Sequence, residues 1–194
     1  MGHPAGKKEE SRARILAGAG RGFRGHGYGG LGVDGLAKEA GVTSGAFYAH
    51  FKSKADAFRE AVSVGMNDLK AGVERIRAER GKGWRRYFVS FYLGDRRTSD
   101  LSDSCALQSL TNEVTRADPP TRHAYGAALR DVIAAVADGL EGRTPAARRT
   151  EAIALLALLS GAVSMARAVD DAKFAEEIAA AAASAAERLA SVHR

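Results

Sequence analysis

The segment from Val33 to Lys54 constrains the fold of this chain more than any other part of it. Leu36, Ala37 and Ala40 recur at helical spacing and form one apolar face. Gly41 follows them and supplies the backbone freedom that a tight turn between two helices requires. The pattern therefore predicts a helix and a sharp turn, which is the first half of a helix-turn-helix.

A second short helix is predicted directly after that turn. Thr43 or Ser44 can cap its N-terminus, and Phe47 and Phe51 lie four residues apart on its apolar side. The opposite side of such a helix is the one that enters a DNA groove. On that outer side the pattern places Ser44, Ala46, Tyr48, Ala49 and His50.

These residues resemble the DNA-binding domain of the TetR family of transcriptional regulators. The positions that match the family pattern at fixed spacing are Leu36–Ala37, Ala40–Thr43, Gly45, Phe47–Tyr48, His50–Phe51 and Ser53–Lys54. Upstream, Phe23 and the pair Gly27-Tyr28 fit the end of the family's first helix. The resemblance implies an all-α fold of about nine helices. Residues 1–53 would form a three-helix DNA-binding domain, and residues 54–194 a ligand-binding and dimerisation domain.

The resemblance also implies how such a chain would bind DNA. A homodimer would set its two recognition helices into successive major grooves of a palindromic operator in double-stranded DNA. Tyr48 and Lys54 are predicted to contact phosphates, the first through its hydroxyl and the second through its charge. Since the helix offers no Arg or Asn for a bidentate base contact, DNA shape is expected to carry much of the specificity. The residues expected near base edges are Thr43, Ser44, Gly45, Ala46 and His50.

The charge distribution agrees with a DNA-binding N-terminus. Residues 1–60 carry ten Lys and Arg against six Asp and Glu, a net charge of +4 out of +6 for the whole chain. Basic side chains that neutralise phosphates release condensed counterions, which favours binding. An ordinary solvated surface could carry the same imbalance, so the charge supports the motif and does not replace it.

The first helix is predicted from about Lys8 to the residue before Gly25, and it contains unusual glycines. Gly18, Gly20 and Gly22 lie inside it, and each costs about 1 kcal/mol relative to alanine in a helix. We therefore expect a loosely held helix, and Gly18→Ala combined with Gly22→Leu is expected to raise the thermal stability. The stretch Gly29-Gly30-Leu31-Gly32 stands where the family carries a Thr/Ser pair that caps the next helix and contacts phosphate.

Downstream, the apolar pattern predicts helices over 54–80, 84–93, 105–115, 119–139, 146–169 and 173–191, with a polar loop over 95–104. The last two helices are rich in leucine and alanine. In the family, this pair forms a dimer interface, although burial inside one monomer would require the same apolar residues.

An aromatic cluster suggests a ligand pocket in the larger domain. Trp84, Phe88, Phe91 and Tyr92 are spaced to share one helix face, and five of the chain's aromatic residues fall within nine positions. A plain core would show the same stripe, but nearby polar groups favour a pocket for a hydrophobic or aromatic effector. By the family's usual mode, that effector would release the operator. The predicted ligand-binding residues are Met66, Trp84, Phe88, Phe91, Tyr92, Cys105, Gln108 and Tyr125.

Catalytic and metal-binding functions find little support in the sequence. A Gly-x-Gly-x-x-Gly run at Gly20–Gly25 mimics a dinucleotide-binding turn, but no β-branched strand precedes it and no strand–helix units follow. Histidines and the single cysteine lack zinc-ligand spacing. We expect a protein that is not an enzyme and that holds no metal or cofactor.

One alternative function remains open from the sequence. The chain could be an all-helical ligand-binding protein, or one that senses redox state or electrophiles, with weak or lost DNA binding. Cys105 lies at the start of a predicted helix, where the helix dipole favours a thiolate, although a buried and inert cysteine fits equally well.

The sequence favours a cytoplasmic protein with no membrane partner. Its N-terminus is polar and lacks the apolar core of a secretory signal. The longest apolar run, 152–163, is interrupted by Ser160-Gly161 and is shorter than the ~20 residues that span a bilayer. One cysteine excludes an internal disulfide, which is typical of a reducing compartment.

Overall fold

The computed structural model describes residues 4–141 and 144–191, and within these ranges the chain is all-α. This confirms the fold class expected from the sequence. Ten α-helices lie in the described ranges, together with 3₁₀ turns at Gly81–Gly83 and Leu101–Asp103. The helices are α1 (Pro4–Gly30), α2 (Val33–Glu39), α3 (Ser44–Tyr48), α4 (Lys54–Arg80), α5 (Trp84–Leu93), α6 (Asp95–Thr98), α7 (Ala106–Val114), α8 (Pro119–Ala137), α9 (Pro145–Ala168) and α10 (Ala172–Ser191).

The helix boundaries follow the sequence pattern closely, with two exceptions. The predicted loop over 95–104 contains the four-residue helix α6, which is too short to show any periodicity. The first helix does not end before Gly25 as predicted. It continues to Gly30 across a kink at Gly27, whose backbone has φ 72° and ψ 172°. The expected absence of a hydroxyl cap on α2 is confirmed, since its N-cap residue is Gly32 and no side chain caps it.

Gly18 and Gly22 of α1 are sites of close packing, which corrects the expectation of a loosely held helix. A Cβ atom at Gly18 would lie only 2.5 Å from the Cα of Ala40. At Gly22 it would lie 2.9 Å from a methyl carbon of Leu36. The expectation that Gly18→Ala with Gly22→Leu would stabilise the protein is therefore wrong, because the added atoms would enter space that is already filled.

The chain divides into two compact units. The first unit runs to Gly65 and also contains Asp100–Gly126. In it, α1 packs against α2, against α7 and against the 3₁₀ turn at Leu101–Asp103, and α2 packs against α3. The largest side chains of its core are fully buried aromatic rings, namely Phe23, Phe47, Phe51 and Phe58. The division of function at residues 53 and 54 remains a prediction.

The second unit contains Met66–Ser99 and the described chain from Ala127 onward. Within it, α9 packs against α5, α6 and α10, and Leu155 and Leu159 are fully buried. Among the described helices, α9 is the one that is long enough and apolar enough to cross a membrane. Its burial against three neighbouring helices accounts for that apolar composition as a core helix.

Candidate nucleic-acid interface and ligand cleft

The turn between α2 and α3 has the geometry that the sequence predicts. Gly41 adopts a left-handed backbone conformation with φ 67°. Glycine reaches this conformation at little cost in free energy, whereas most other residues are strained by it. The N–H of Gly41 donates to the carbonyl oxygen of Lys38 at 3.0 Å, and the N–H of Val42 donates to that of Ala37 at 2.9 Å. These hydrogen bonds close the end of α2 and set the direction in which α3 begins.

The helix α3 is fixed at its start and on its inner side. Thr43 is the N-cap, and its hydroxyl oxygen accepts a hydrogen bond from the N–H of Ala46 at 3.2 Å. The rings of Phe47 and Phe51 are buried and pack against each other with a centroid distance of 5.3 Å. Burial of these two rings leaves the remaining residues of α3 at the surface.

The surface of α3 brings together the DNA-binding residues predicted from segment 43–50. Tyr48 is the most prominent, with 56% of its surface exposed, and its ring meets Phe47 edge-on at 5.8 Å. None of the six residues is fully buried, so each is available to a partner surface. Exposed or half-buried here are Thr43, Ser44, Gly45, Ala46, Tyr48 and His50.

Two neighbours of this surface were missed in the sequence analysis. The hydroxyl of Ser44 donates a hydrogen bond to the carboxylate of Asp34, an exposed residue in the first turn of α2. Asp34 therefore adds a negative charge beside residues predicted to approach DNA. The ammonium of Lys54 lies over the ring of Tyr28, 4.6 Å from its centroid. The pair Gly27-Tyr28 was a visible motif, but nothing in its spacing indicated a contact with Lys54.

The aromatic residues of α5 separate into two rows, which corrects the prediction of one shared face. Trp84, Phe88 and Tyr92 form a buried row with successive centroid distances of 6.2 and 5.6 Å. Phe91 is only half-buried and stacks on the exposed ring of Tyr87 at 6.2 Å. Val89 and Leu93 are also buried. The buried face of α5 is therefore centred on a different side of the helix from the face that the aromatic spacing alone predicts.

The other predicted ligand-binding residues are distributed over both units. Met66 is fully buried in α4 of the second unit. Cys105 is the half-buried N-cap residue of α7 in the first unit, which also contains Gln108. In the same unit, the hydroxyl of Tyr125 shares a hydrogen bond of 2.8 Å with Thr111. Burial raises the pKa of Tyr125, and this hydrogen bond opposes part of the rise.

The second unit contains an open cleft of about 1400 Å³. Its walls combine apolar surface with charged groups of both signs. Of the eight predicted ligand-binding residues, Trp84 alone lines it, and the indole N–H of Trp84 donates to the carbonyl oxygen of Gly139 at 2.9 Å. Other lining residues from α5 and α10 include Arg85, Val89, Leu93, Ala179, Ala183 and Ala186.

A largely buried ion pair lies in the wall of this cleft. The guanidinium of Arg85 approaches the carboxylate of Glu151 at 3.2 Å and donates a hydrogen bond to the carbonyl oxygen of Ala186 at 2.7 Å. Burial lowers the pKa of Arg85, and the charge of Glu151 counteracts that effect. In the described part of the chain, no group of three or more His, Cys, Asp or Glu side chains is arranged to hold a metal ion.

Comparison with known proteins supports the all-α fold and the helix-turn-helix motif. Residues 15–61 match the profile of the bacterial regulatory proteins, tetR family. No curated protein sequence matches the chain.

Solved structures similar to the chain cover nearly its whole length. NemR of E. coli in its reduced form has 19% identity and a TM-score of 0.76, with 93% of this chain and 97% of that one covered. A TetR-family regulator of Cytophaga hutchinsonii has 18% identity and a TM-score of 0.75, with 97% and 96% covered. FadR of Bacillus subtilis in complex with stearoyl-CoA has 18% identity and a TM-score of 0.62, with 89% and 97% covered. At these identities the likeness establishes the fold.

Proposed function

We propose, from an N-terminal segment that belongs to the tetR family of bacterial regulatory proteins, that this chain is a ligand-responsive, DNA-binding transcriptional regulator. The observation that carries the proposal is the exposed surface of α3. The left-handed Gly41 and the Thr43 cap fix the start of this helix, and its buried rings fix its inner side. Its outer residues are therefore presented together at the surface. A short helix held in this way can enter the major groove of DNA.

The proposed contacts with DNA fall into two groups. Tyr48 and Lys54 would bind phosphates and set the register of the protein on the duplex. Thr43, Ser44, Gly45, Ala46 and His50 would lie near base edges. Since these five are small or lack a bidentate donor pair, DNA shape would contribute strongly to the choice of operator. The proposed mode of action is repression, relieved when a small molecule binds.

Binding to genomic DNA fragments at several salt concentrations tests the proposal. The purified protein is expected to retain a palindromic fragment and to lose affinity steeply as salt rises. Tyr48→Phe and Lys54→Ala should each weaken binding to all sequences alike, and Lys54→Ala should also reduce the salt slope by about one unit. Retention of every fragment by both variants at the affinity of the parent would refute the assignment of these phosphate contacts.

We propose that the chain acts as a homodimer through α9 and α10. Each helix carries large apolar side chains at the surface of the described unit, with Ile153 44%, Met165 60% and Phe174 49% exposed. Exposed apolar groups of this size on paired helices favour a protein interface. Met165→Glu is expected to yield monomers in analytical ultracentrifugation, and a dimer that is unchanged would place the interface elsewhere.

The effector is proposed to be a small molecule with a hydrophobic part, bound in the second unit. The cleft beside Trp84 supports this proposal, since it offers apolar walls and polar groups that could orient a ligand. Because Trp84 is the chain's single tryptophan, its fluorescence reports this region directly. A compound that releases DNA should change that emission.

Two variants separate the cleft from the predicted aromatic pocket. Ala183→Phe places a ring at the cleft wall and should abolish the response to the compound. Phe91→Ala, whose ring stacks on Tyr87, should leave the response intact. The reverse result would favour the predicted set of Met66, Trp84, Phe88, Phe91, Tyr92, Cys105, Gln108 and Tyr125.

Sensing of redox state or electrophiles is a second candidate function, supported by the position of Cys105. This thiol is half-exposed at the N-cap of α7, where a reagent could reach it. Rapid labelling of the native protein that weakens DNA binding would support sensing. Slow labelling with DNA binding unchanged would exclude it.

A further inference from the structure

We propose that Tyr28 is a positioning residue for the DNA contact of Lys54, an inference that rests on the proposed function. The ammonium nitrogen of Lys54 lies 4.6 Å from the centroid of the Tyr28 ring. A cation within about 6 Å of an aromatic ring centroid is attracted by the negative charge density of the ring face. Tyr28 would therefore hold the Lys54 side chain in one orientation before DNA arrives.

The core of the first unit fixes the position of the Tyr28 ring. It meets Phe58 at a centroid distance of 5.0 Å with the ring planes 63° apart. It also lies nearly parallel to Phe23, at 6.1 Å and 14°. Both partners are fully buried, so the ring is anchored to immobile neighbours. The left-handed Gly27 redirects the chain immediately before Tyr28, which allows the ring to reach this position from the end of α1.

The backbone of Lys54 is fixed independently of its side chain. Lys54 is the first residue of α4, and the Ser53 hydroxyl oxygen accepts a hydrogen bond from the N–H of Asp56 at 3.1 Å. The Asp56 carboxylate in turn accepts one from the N–H of Lys52, also at 3.1 Å. These hydrogen bonds hold the turn that contains Lys54, and the ring of Tyr28 lies against its ammonium.

Contact with the ring leaves Lys54 able to bind a phosphate. The ammonium has three N–H donors, and attraction to a ring face does not require all of them. Lys54 is half-exposed, so water or a phosphate oxygen can reach the group. A lysine that is already ordered loses less side-chain freedom when it binds, which is the general advantage of preorganisation.

The experiment compares Tyr28→Phe with Tyr28→Leu, each with Lys54 present and in the Lys54→Ala variant. Phenylalanine keeps a ring face and should bind DNA like the parent protein. Leucine removes it and should weaken binding by about two- to five-fold, the effect of an exposed cation–π contact. In the Lys54→Ala variant the leucine substitution should have no further effect. An equal loss with and without Lys54 would overturn the proposal, since Tyr28 would then act through packing alone.

A second measurement needs no DNA. The ε-methylene protons of Lys54 should show an upfield NMR shift from the aromatic ring in the parent and in Tyr28→Phe, and this shift should vanish in Tyr28→Leu. Its absence from the parent protein would refute the contact even if DNA binding is normal. Absence of DNA binding in the parent, with the NMR shift present, would instead refute the proposed function. Melting curves establish that each variant is folded at the assay temperature.

Discussion

Replacing Gly18 with alanine should destabilise the protein, although alanine is the better helix former. The gain in helix propensity is about 1 kcal/mol. Against it, the new Cβ would lie 2.5 Å from the Cα of Ala40, 2.7 Å from its Cβ and 2.8 Å from its nitrogen. These neighbours are mainly backbone, so no side chain can rotate away. The segment at Ala40 would have to move by about 1 Å to reach the 3.4 Å of an ordinary contact.

Overpacking of this kind costs about 1–3 kcal/mol and more where the backbone must move. Because the backbone at Ala40 must move, the cost here falls in the upper part of that range, about 2–3 kcal/mol. After subtraction of the propensity gain of about 1 kcal/mol, we expect Gly18→Ala to lower the free energy of unfolding by about 1–2 kcal/mol. For a chain of this length that corresponds to a fall in Tm of roughly 2–8 °C. Denaturant and thermal unfolding at one fixed protein concentration measure it, since the proposed dimerisation would make stability depend on concentration.

Gly20→Ala is the matched control, because it lies in the same helix two residues away. A Cβ there would meet Arg24 at 3.4 Å and Ala61 at 3.9 Å, which are tolerable contacts. We expect this variant to be as stable as the parent or more stable by up to about 1 kcal/mol. If Gly18→Ala proves at least as stable as Gly20→Ala, close approach at Ala40 is not the reason for a glycine at position 18.

Two further predictions concern charged groups. Glu151→Gln should destabilise the protein by about 3 kcal/mol because it removes the carboxylate that is ion-paired with the largely buried Arg85. Glu176→Gln, at a pair whose carboxylate is exposed, should cost under about 1 kcal/mol. Similar unfolding midpoints for the two variants would contradict this. Hydrogen bonds from Thr121 lower the pKa of Asp118, so its contribution to stability is present above the carboxyl's unfolded pKa and is lost as pH falls through the folded value. Asp118→Asn should remove that part of the acid dependence, and an unchanged pH profile of Tm would refute it.

The all-α fold and most helix boundaries were predictable because they depend on local patterns. α4 spans its predicted residues because a regular apolar stripe and clear end signals define it. The turn at Gly41 was predictable for the same reason, since a single residue type meets its conformational requirement. What could not be predicted depends on contacts between residues far apart in sequence.

The glycines of α1 illustrate that limit. From the sequence, Gly18 and Gly22 are only unfavourable to a helix, because propensity is a property of one residue in one element. Their close approach to Ala40 and Leu36 appears only when α1 and α2 are packed together. The contact of Tyr28 with Lys54 is hidden in the same way, since it joins residues from α1 and α4. The separation of Phe91 from the buried aromatic row depends on which arc of α5 its neighbours cover.

The first unit suggests how a distant event could reach the proposed DNA-binding surface of α3. Leu110 and Val114 of α7 are buried in the same core cluster as Phe23 and Phe58. The guanidinium of Arg24 also donates to the carbonyl oxygen of Ser102 at 2.7 Å. The three N-terminal helices therefore do not have a core of their own, because residues from 100–126 complete it. A close-packed core does not deform continuously. Any ligand that favours a different position of α7 would thus have to change the packing beneath α1, and it would shift DNA binding only by its differential affinity for the two arrangements.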